Sequence, residues 1–196
     1  MNTQIAAESD ITQEHRDAEE HLARYEARLD PEALLLCSLM WVEGQAGGEI
    51  KTILNYLHPK DFRRPAHGRV FELMQQQAAE GKLITAAAIA GRIDAHRDNR
   101  GWPGGHHTAL LVALSGLRAL PSQAAFYADQ VLAESYRRQY ATMATELAQV
   151  AREAPEKDLF SILVHHGTTQ RAAWQRRQGF MHALNNPTPE TEDEPG

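Results

Sequence analysis

The segment HPKDFRRPAHGRVFELM, which spans residues 58–74, is rich in side chains that do chemistry. Its two histidines and its aspartate could transfer protons or hold a metal ion. Its three arginines could bind phosphate groups. The same segment holds Pro59, Pro65 and an apolar pattern that repeats at helical spacing. The residue types therefore allow two interpretations, a functional site or an elaborate helix start.

The sequence lacks the motifs that would support metal or nucleotide chemistry. The adjacent histidine pairs at 106–107 and 165–166 each offer one ligand to a given metal, because helix neighbours point about 100° apart. No HExxH or CxxC motif occurs, and the one Gly-Lys pair is followed by Leu83 instead of the Ser or Thr of a phosphate loop. We therefore expect no metal, no cofactor and no catalytic residue. Serine or cysteine catalysis stays open on residue types alone, without a nucleophile-elbow motif to support it.

Charge and cysteine content restrict the class of protein. The net charge is −6, with eight acids and three bases in residues 1–30 and four acids in residues 185–196. This balance does not fit a polycation that coats DNA, although it permits a weak nucleic-acid contact. Cys37 lies in the apolar run LLLCSLM and is predicted to be a buried, reduced thiol of a cytoplasmic protein. We find no signal-peptide pattern and no apolar run of membrane-spanning length, so we expect no membrane association.

Start and stop signals predict a globular helical head over residues 31–120. Asp30 and Pro31 are a typical N-cap and first helical residue, and the apolar run that follows indicates a buried helix. Glycine at 81 ends a later helix, and Thr85 can cap the next one. Helices are predicted over residues 31–42, 50–57, 65–80, 86–96 and 108–114.

A long helical hairpin is predicted over residues 121–184. Apolar residues from 132 to 150 step by three or four, Ala154–Pro155 breaks the pattern, and Asp158 can cap a second helix. Residues 1–30 and 185–196 are expected to be an acidic, partly disordered extension and a disordered acidic tail. Sustained alternation of apolar and polar residues is missing, so the predicted fold class is all-α.

Two helices that pack only on each other leave part of their apolar residues exposed to solvent, and exposed apolar patches usually mark interfaces. We therefore predict self-association through five seam residues: Leu132, Tyr136, Tyr140, Met143 and Leu147. The same helices carry four arginines that are candidate nucleic-acid contacts: Arg137, Arg138, Arg176 and Arg177. Because residues 121–184 hold seven bases against six acids, such a contact would be weak.

The order of these features resembles the N-terminal domain of the bacterial replicative DNA helicase, the DnaB family. The resemblance covers roughly residues 31–180 and is most specific in the segment DFRRPAHGRVF. The matching residues are Leu57, Pro59, Asp61, Phe62, Pro65, His67, Val70, Phe71, Met74, Gly81, Leu120–Ser122, Phe126, Tyr127, Val131 and Arg137–Arg138. The chain departs from the family pattern after Gly81, where Lys82–Thr85 lacks the usual aspartate, and we find no motor sequence with a phosphate loop.

The resemblance implies a structural role for the opening segment. Six of its residues would shape the head and would not form an active site: Pro59, Asp61, Phe62, Pro65, His67 and Phe71. It further implies a stand-alone, non-catalytic replication accessory that forms a dimer or a trimer of dimers and binds replicative helicase, primase or both. Two alternatives stay open, a sequence-independent nucleic-acid-binding module and a decoy that inhibits the helicase ring.

Overall fold

The computed structural model describes residues 29–96, 102 and 107–186. Most of the predicted acidic extension, most of the loop between residues 96 and 107, and the acidic tail from residue 187 lie outside the described residues. The described residues contain no strand, and the all-α prediction is confirmed. Their helices are α1 (Pro31–Met40), α2 (Gly48–Tyr56), α3 (Pro65–Ala79), α4 (Ala86–His96), α5 (His107–Ser115), α6 (Ala124–Glu153) and α7 (Glu156–Asn185), with 3-10 turns at Pro59–Asp61 and Pro121–Gln123.

Helix α1 lies at the centre of the head, as its apolar composition predicts. Asp30 caps it by accepting the backbone amide of Glu32 at 3.0 Å, and Pro31 occupies the first turn. The helix is apolar on most sides and packs against α3, α5 and α6. Cys37 is fully buried there. The core of the head has fully buried large side chains that include Leu35, Leu36, Leu39, Ile53, Leu57, Val70, Phe71, Met74, Ile84, Ile89 and Leu111.

The first 3-10 turn approaches α3 very closely. The backbone amide of His58 donates to Asp61 Oδ2 at 2.8 Å and closes the turn. Gly68 in the first turn of α3 faces it, and a Cβ atom on Gly68 would lie 2.4 Å from the carbonyl oxygen of Pro59. Only a glycine permits this approach. Phe62, which follows the turn, packs on Phe71 with ring centroids 5.0 Å apart.

The base of the hairpin belongs to the core of the head. The first half of α6 buries one face, and near the end of α7 Phe180 is fully buried beside Tyr56. The buried residues of α6 are Ala124, Ala128, Val131, Leu132 and Ser135. The outer halves of α6 and α7 pack on each other, and the chain turns at Ala154–Pro155 as predicted. Asp158 lies in the first turn of α7 and not at its cap. Among the helices that the structure describes, none combines the length and hydropathy that a membrane span requires.

Candidate functional site

Buried charge in the head secures α1 to the start of α3. Glu32 is buried and accepts a bond from His67 Nδ1 at 3.2 Å, as well as the backbone amides of Arg63 and Arg64. Burial raises the pKa of Glu32, but these hydrogen bonds outweigh that effect and hold it below its ordinary value. Asp30, Glu32 and His67 bring one potential metal-ligand atom each within 4.8 Å of one another. Because the carboxylates already accept backbone amides, capping and packing account for this cluster.

Asp61 joins the 3-10 turn to both helices of the hairpin. Its buried carboxylate accepts two bonds from Arg176 of α7, at 2.6 and 2.7 Å. It also accepts the Ser135 hydroxyl of α6 at 2.7 Å. Burial raises the pKa of Asp61, but the hydrogen bonds, that of Arg176 foremost, hold it below its ordinary value. The carboxylate is therefore charged at neutral pH and fixes the hairpin to the head.

Arg176 also links α7 to the end of α2 by hydrogen bonds. Its guanidinium donates to the carbonyl of Tyr56 at 2.9 Å and to Nδ1 of His58 at 2.6 Å. Burial, followed by the positive charge of Arg176, lowers the pKa of His58. The imidazole is therefore neutral at pH 7 and can accept the guanidinium bond.

Three of the four arginines that the sequence suggested as nucleic-acid contacts bond within the chain. Arg176 binds Asp61, Arg138 donates to the backbone carbonyl of Asp61, and Arg177 pairs with Asp129 of α6 at 3.0 Å. Arg137 is exposed. The structure therefore does not bring the four side chains together on one free surface.

The predicted self-association residues divide into three environments. Leu132 is only 3% exposed and belongs to the core of the head. Tyr136, Met143 and Leu147 are half-buried along α6. Tyr140 is 53% exposed and lies beside Tyr136, with ring centroids 6.5 Å apart. Of the five, Tyr140 presents the most surface to another molecule.

A second apolar surface lies on the outer face of α7. Phe160 is 75% exposed and Trp174 is 52% exposed, which is far more than such side chains show in a core. We call this surface the outer stripe and define it by Phe160, Leu163, Gly167, Trp174 and Met181. The sequence prediction did not include this surface, because it placed self-association on residues 132–147 of α6. A signal was present, since Phe160, Gly167, Trp174 and Met181 recur every seven residues.

The head carries a separate apolar groove of about 550 Å³. Trp41 is 55% exposed at its edge, and the indole N–H donates to the carbonyl of Ser115 at 3.0 Å, which fixes the ring. Arg118 lies in the same wall with a φ of 59°, a left-handed conformation that is unusual outside glycine. We call this surface the head groove, and its lining residues are Trp41, Glu43, Arg118, Ala119, Leu120 and Pro121.

Comparisons with known proteins give consistent results. The family model described as "DnaB-like helicase N terminal domain" matches residues 25–133, more than half of the chain. A crystal structure of the N-terminal domain of DnaB helicase from Mycobacterium tuberculosis is similar, with a TM-score of 0.59 and 20% sequence identity. The match covers 74% of this chain and 96% of that chain, and it shows a shared fold. Among curated protein sequences, none matches significantly.

Proposed function

Because the chain belongs to the family of DnaB-like helicase N-terminal domains, we propose that it acts in DNA replication through protein contacts. This domain is the non-catalytic part of a helicase, which is consistent with a protein that binds and does not catalyse. In the proposal two copies associate through the hairpin. The assembly then binds a replicative helicase or a primase.

The outer stripe carries the proposal of self-association. Three of its large apolar side chains, Phe160, Leu163 and Trp174, are exposed on α7. Burial of such exposed apolar surface against a partner stabilises the complex by about 25 cal/mol per Å² of surface buried. A second copy provides the same surface and forms a symmetric contact.

Light-scattering mass after gel filtration tests this step. The wild-type chain is expected to elute as a dimer or a larger even oligomer. Phe160→Asp is expected to shift the mass toward the monomer because it places a charge in the apolar contact. Ser161→Asp adds the same charge to a neighbouring exposed position outside the stripe and should leave the mass unchanged. Equal masses for the wild type and Phe160→Asp would refute pairing through this face.

The head groove supports the second step, partner binding. Its exposed apolar residues are Trp41, whose indole donates to the carbonyl of Ser115, and Leu120, whose backbone amide donates to the side chain of Gln123. Tryptophan and arginine, both present in this groove, are enriched among the residues that contribute most to protein–protein binding. We infer that a helicase or primase segment docks there.

Co-elution with purified replicative helicase and with primase tests the docking step. Leu120→Asp is expected to abolish co-elution without changing the self-associated mass. Ser122→Asp is the matched control, because Ser122 is exposed two residues away and is not part of the groove lining. Co-elution that survives Leu120→Asp would place the partner elsewhere. Nucleic-acid binding is not favoured, because three of the four candidate arginines bond within the chain. Ring inhibition is not favoured by a specific observation.

A further inference from the structure

A groove of about 390 Å³ lies between the two helices of the hairpin, where they meet the first 3-10 turn. One wall is a single face of α6, because its lining residues from Ser135 to Glu146 recur at helical spacing. The other wall belongs to α7, and the turn contributes a lysine. We call this space the interhelical groove, and its lining includes Lys60, Arg138, Thr142, Met143, His166 and Gln170.

The interhelical groove is polar where two packed helices usually bury apolar side chains. Among the described residues that line it, Met143 alone is apolar. The Oε1 atom of Gln170 is buried and has no hydrogen-bond partner, which costs free energy in an empty groove. A hydroxyl group can donate to this oxygen, or accept from the nitrogen if the amide is turned over. The groove therefore favours an occupant that carries hydroxyl groups.

The end of the groove nearest the head has unpaired positive charge. Lys60 is exposed and forms no ion pair with the part of the chain that the structure describes. Arg138 donates to the backbone carbonyl of Asp61, and none of the described carboxylates pairs with it. The Asp61 carboxylate does not neutralise these cations, because Arg176 already binds it through two bonds. Two cations without counter-ions match the nearly double negative charge of a phosphate monoester.

The far end of the groove has the opposite preference. Glu146 lies there with its carboxylate 3.7 Å from Nδ1 of His166. Arg138 and Glu146 are eight residues apart on α6, which is about 12 Å along the helix. An anionic group is therefore attracted to the head end and repelled by the carboxylate, so a matching ligand is charged at one end only. Small-molecule sites measure about 300–1,000 Å³, and this groove lies at the lower end of that range.

We propose that the interhelical groove binds a small organic phosphate, namely a phosphate monoester that carries hydroxyl groups. Lys60 and Arg138 bind the phosphate, and Gln170 bonds a hydroxyl group. Because the turn, α6 and α7 all line the groove, the ligand links the head to both helices of the hairpin. This inference goes beyond the proposed function and depends neither on self-association nor on partner docking.

Isothermal titration calorimetry of the full chain tests the phosphate contact, with ribose 5-phosphate and inorganic phosphate as probes at an ionic strength fixed by sodium chloride. Ribose 5-phosphate is expected to bind saturably, and inorganic phosphate more weakly because it lacks the sugar hydroxyls. Lys60→Gln should weaken both by roughly tenfold, since it removes a charge-assisted bond. Lys157→Gln is the matched control, because it removes the same charge from an exposed position in the first turn of α7, outside the groove.

Gln170→Leu tests the hydroxyl contact separately. The substitution replaces an unpaired amide by an apolar side chain of similar size, so the urea midpoint should stay the same or rise. The affinity for ribose 5-phosphate should fall to that for inorganic phosphate. The affinity for inorganic phosphate should stay unchanged, because this probe has no sugar to reach Gln170.

The outcomes separate the two contacts. Saturable binding that Lys60→Gln weakens and Lys157→Gln preserves supports the site. A wild-type chain that binds neither probe in the millimolar range overturns it, and so does equal weakening by the two lysine variants. Equal affinity of the wild type for both probes overturns the assignment of Gln170. The mass and co-elution experiments are run without these probes, so a failure of this site is distinguishable from a failure of the proposed function.

Discussion

Replacing Arg176 with methionine should strongly destabilise the chain. Asp61 has no exposed side-chain surface, and Arg176 supplies two of its bonds, at 2.6 and 2.7 Å. Methionine keeps much of the volume but leaves a buried carboxylate without its counter-ion. Removing one partner of a buried ion pair costs about 3–5 kcal/mol. The bonds to Asp61 from the Ser135 hydroxyl and the His58 amide remain, so the expected loss is about 3 kcal/mol.

Urea denaturation followed by circular dichroism at pH 7 measures this loss. Arg177→Met is the matched control, because Arg177 is the next residue and its pair with Asp129 is about one-third exposed. Surface pairs of that kind contribute about 0–1 kcal/mol. Asp61→Asn combined with Arg176→Met should recover part of the loss, since no uncompensated charge is left. Equal effects of Arg176→Met and Arg177→Met would refute the view that Asp61 fixes the hairpin to the head.

Three further predictions concern the fold. Gly68→Ala should lower the free energy of unfolding by about 1–3 kcal/mol in urea, because its Cβ would meet the Pro59 carbonyl at 2.4 Å. Folding holds the pKa of Asp61 and Glu32 below their ordinary values of 3.8 and 4.5, so their stabilisation is complete above those values. It is lost as the pH falls through the lower folded values, and urea midpoints from pH 6 to pH 3 should show a decline that Asp61→Asn reduces. In a monomeric Phe160→Asp background, Gly167→Ala should raise the free energy of unfolding in urea by about 0.5–1 kcal/mol. Alanine has the higher helix propensity, and a Cβ atom at position 167 would meet open space. A lower free energy of unfolding would mean that the glycine is needed within the chain.

Local signals in the sequence were sufficient for most of the helices. The Asp30–Pro31 cap, the proline at 65 and the Ala154–Pro155 break act on their immediate neighbours, so they can be recognised without knowing the rest of the fold. In the segment at 58–74, Phe62 and Phe71 are buried. The bond from the backbone amide of His58 to the Asp61 carboxylate joins residues three positions apart, so it depends on local sequence alone.

Long-range contacts could not be predicted in the same way. The bond between Asp61 and Arg176 joins residues 115 positions apart, and no sequence pattern pairs them. The sequence did not show that position 68 requires glycine, because the backbone that approaches it belongs to Pro59 in the preceding 3-10 turn. The outer stripe was not predicted because α7 carries apolar residues on more than one face, and Phe180 among them is fully buried. Which of two faces stays exposed depends on the packing of the whole chain.

The mass of the wild-type chain in solution, measured beside Phe160→Asp and Ser161→Asp, tests self-association through α7 most directly. We expect a dimer or larger even oligomer for the wild type and for Ser161→Asp, and a monomer with unchanged helical content for Phe160→Asp. A wild-type chain that stays monomeric across the micromolar range, or a Phe160→Asp variant with wild-type mass, would contradict it.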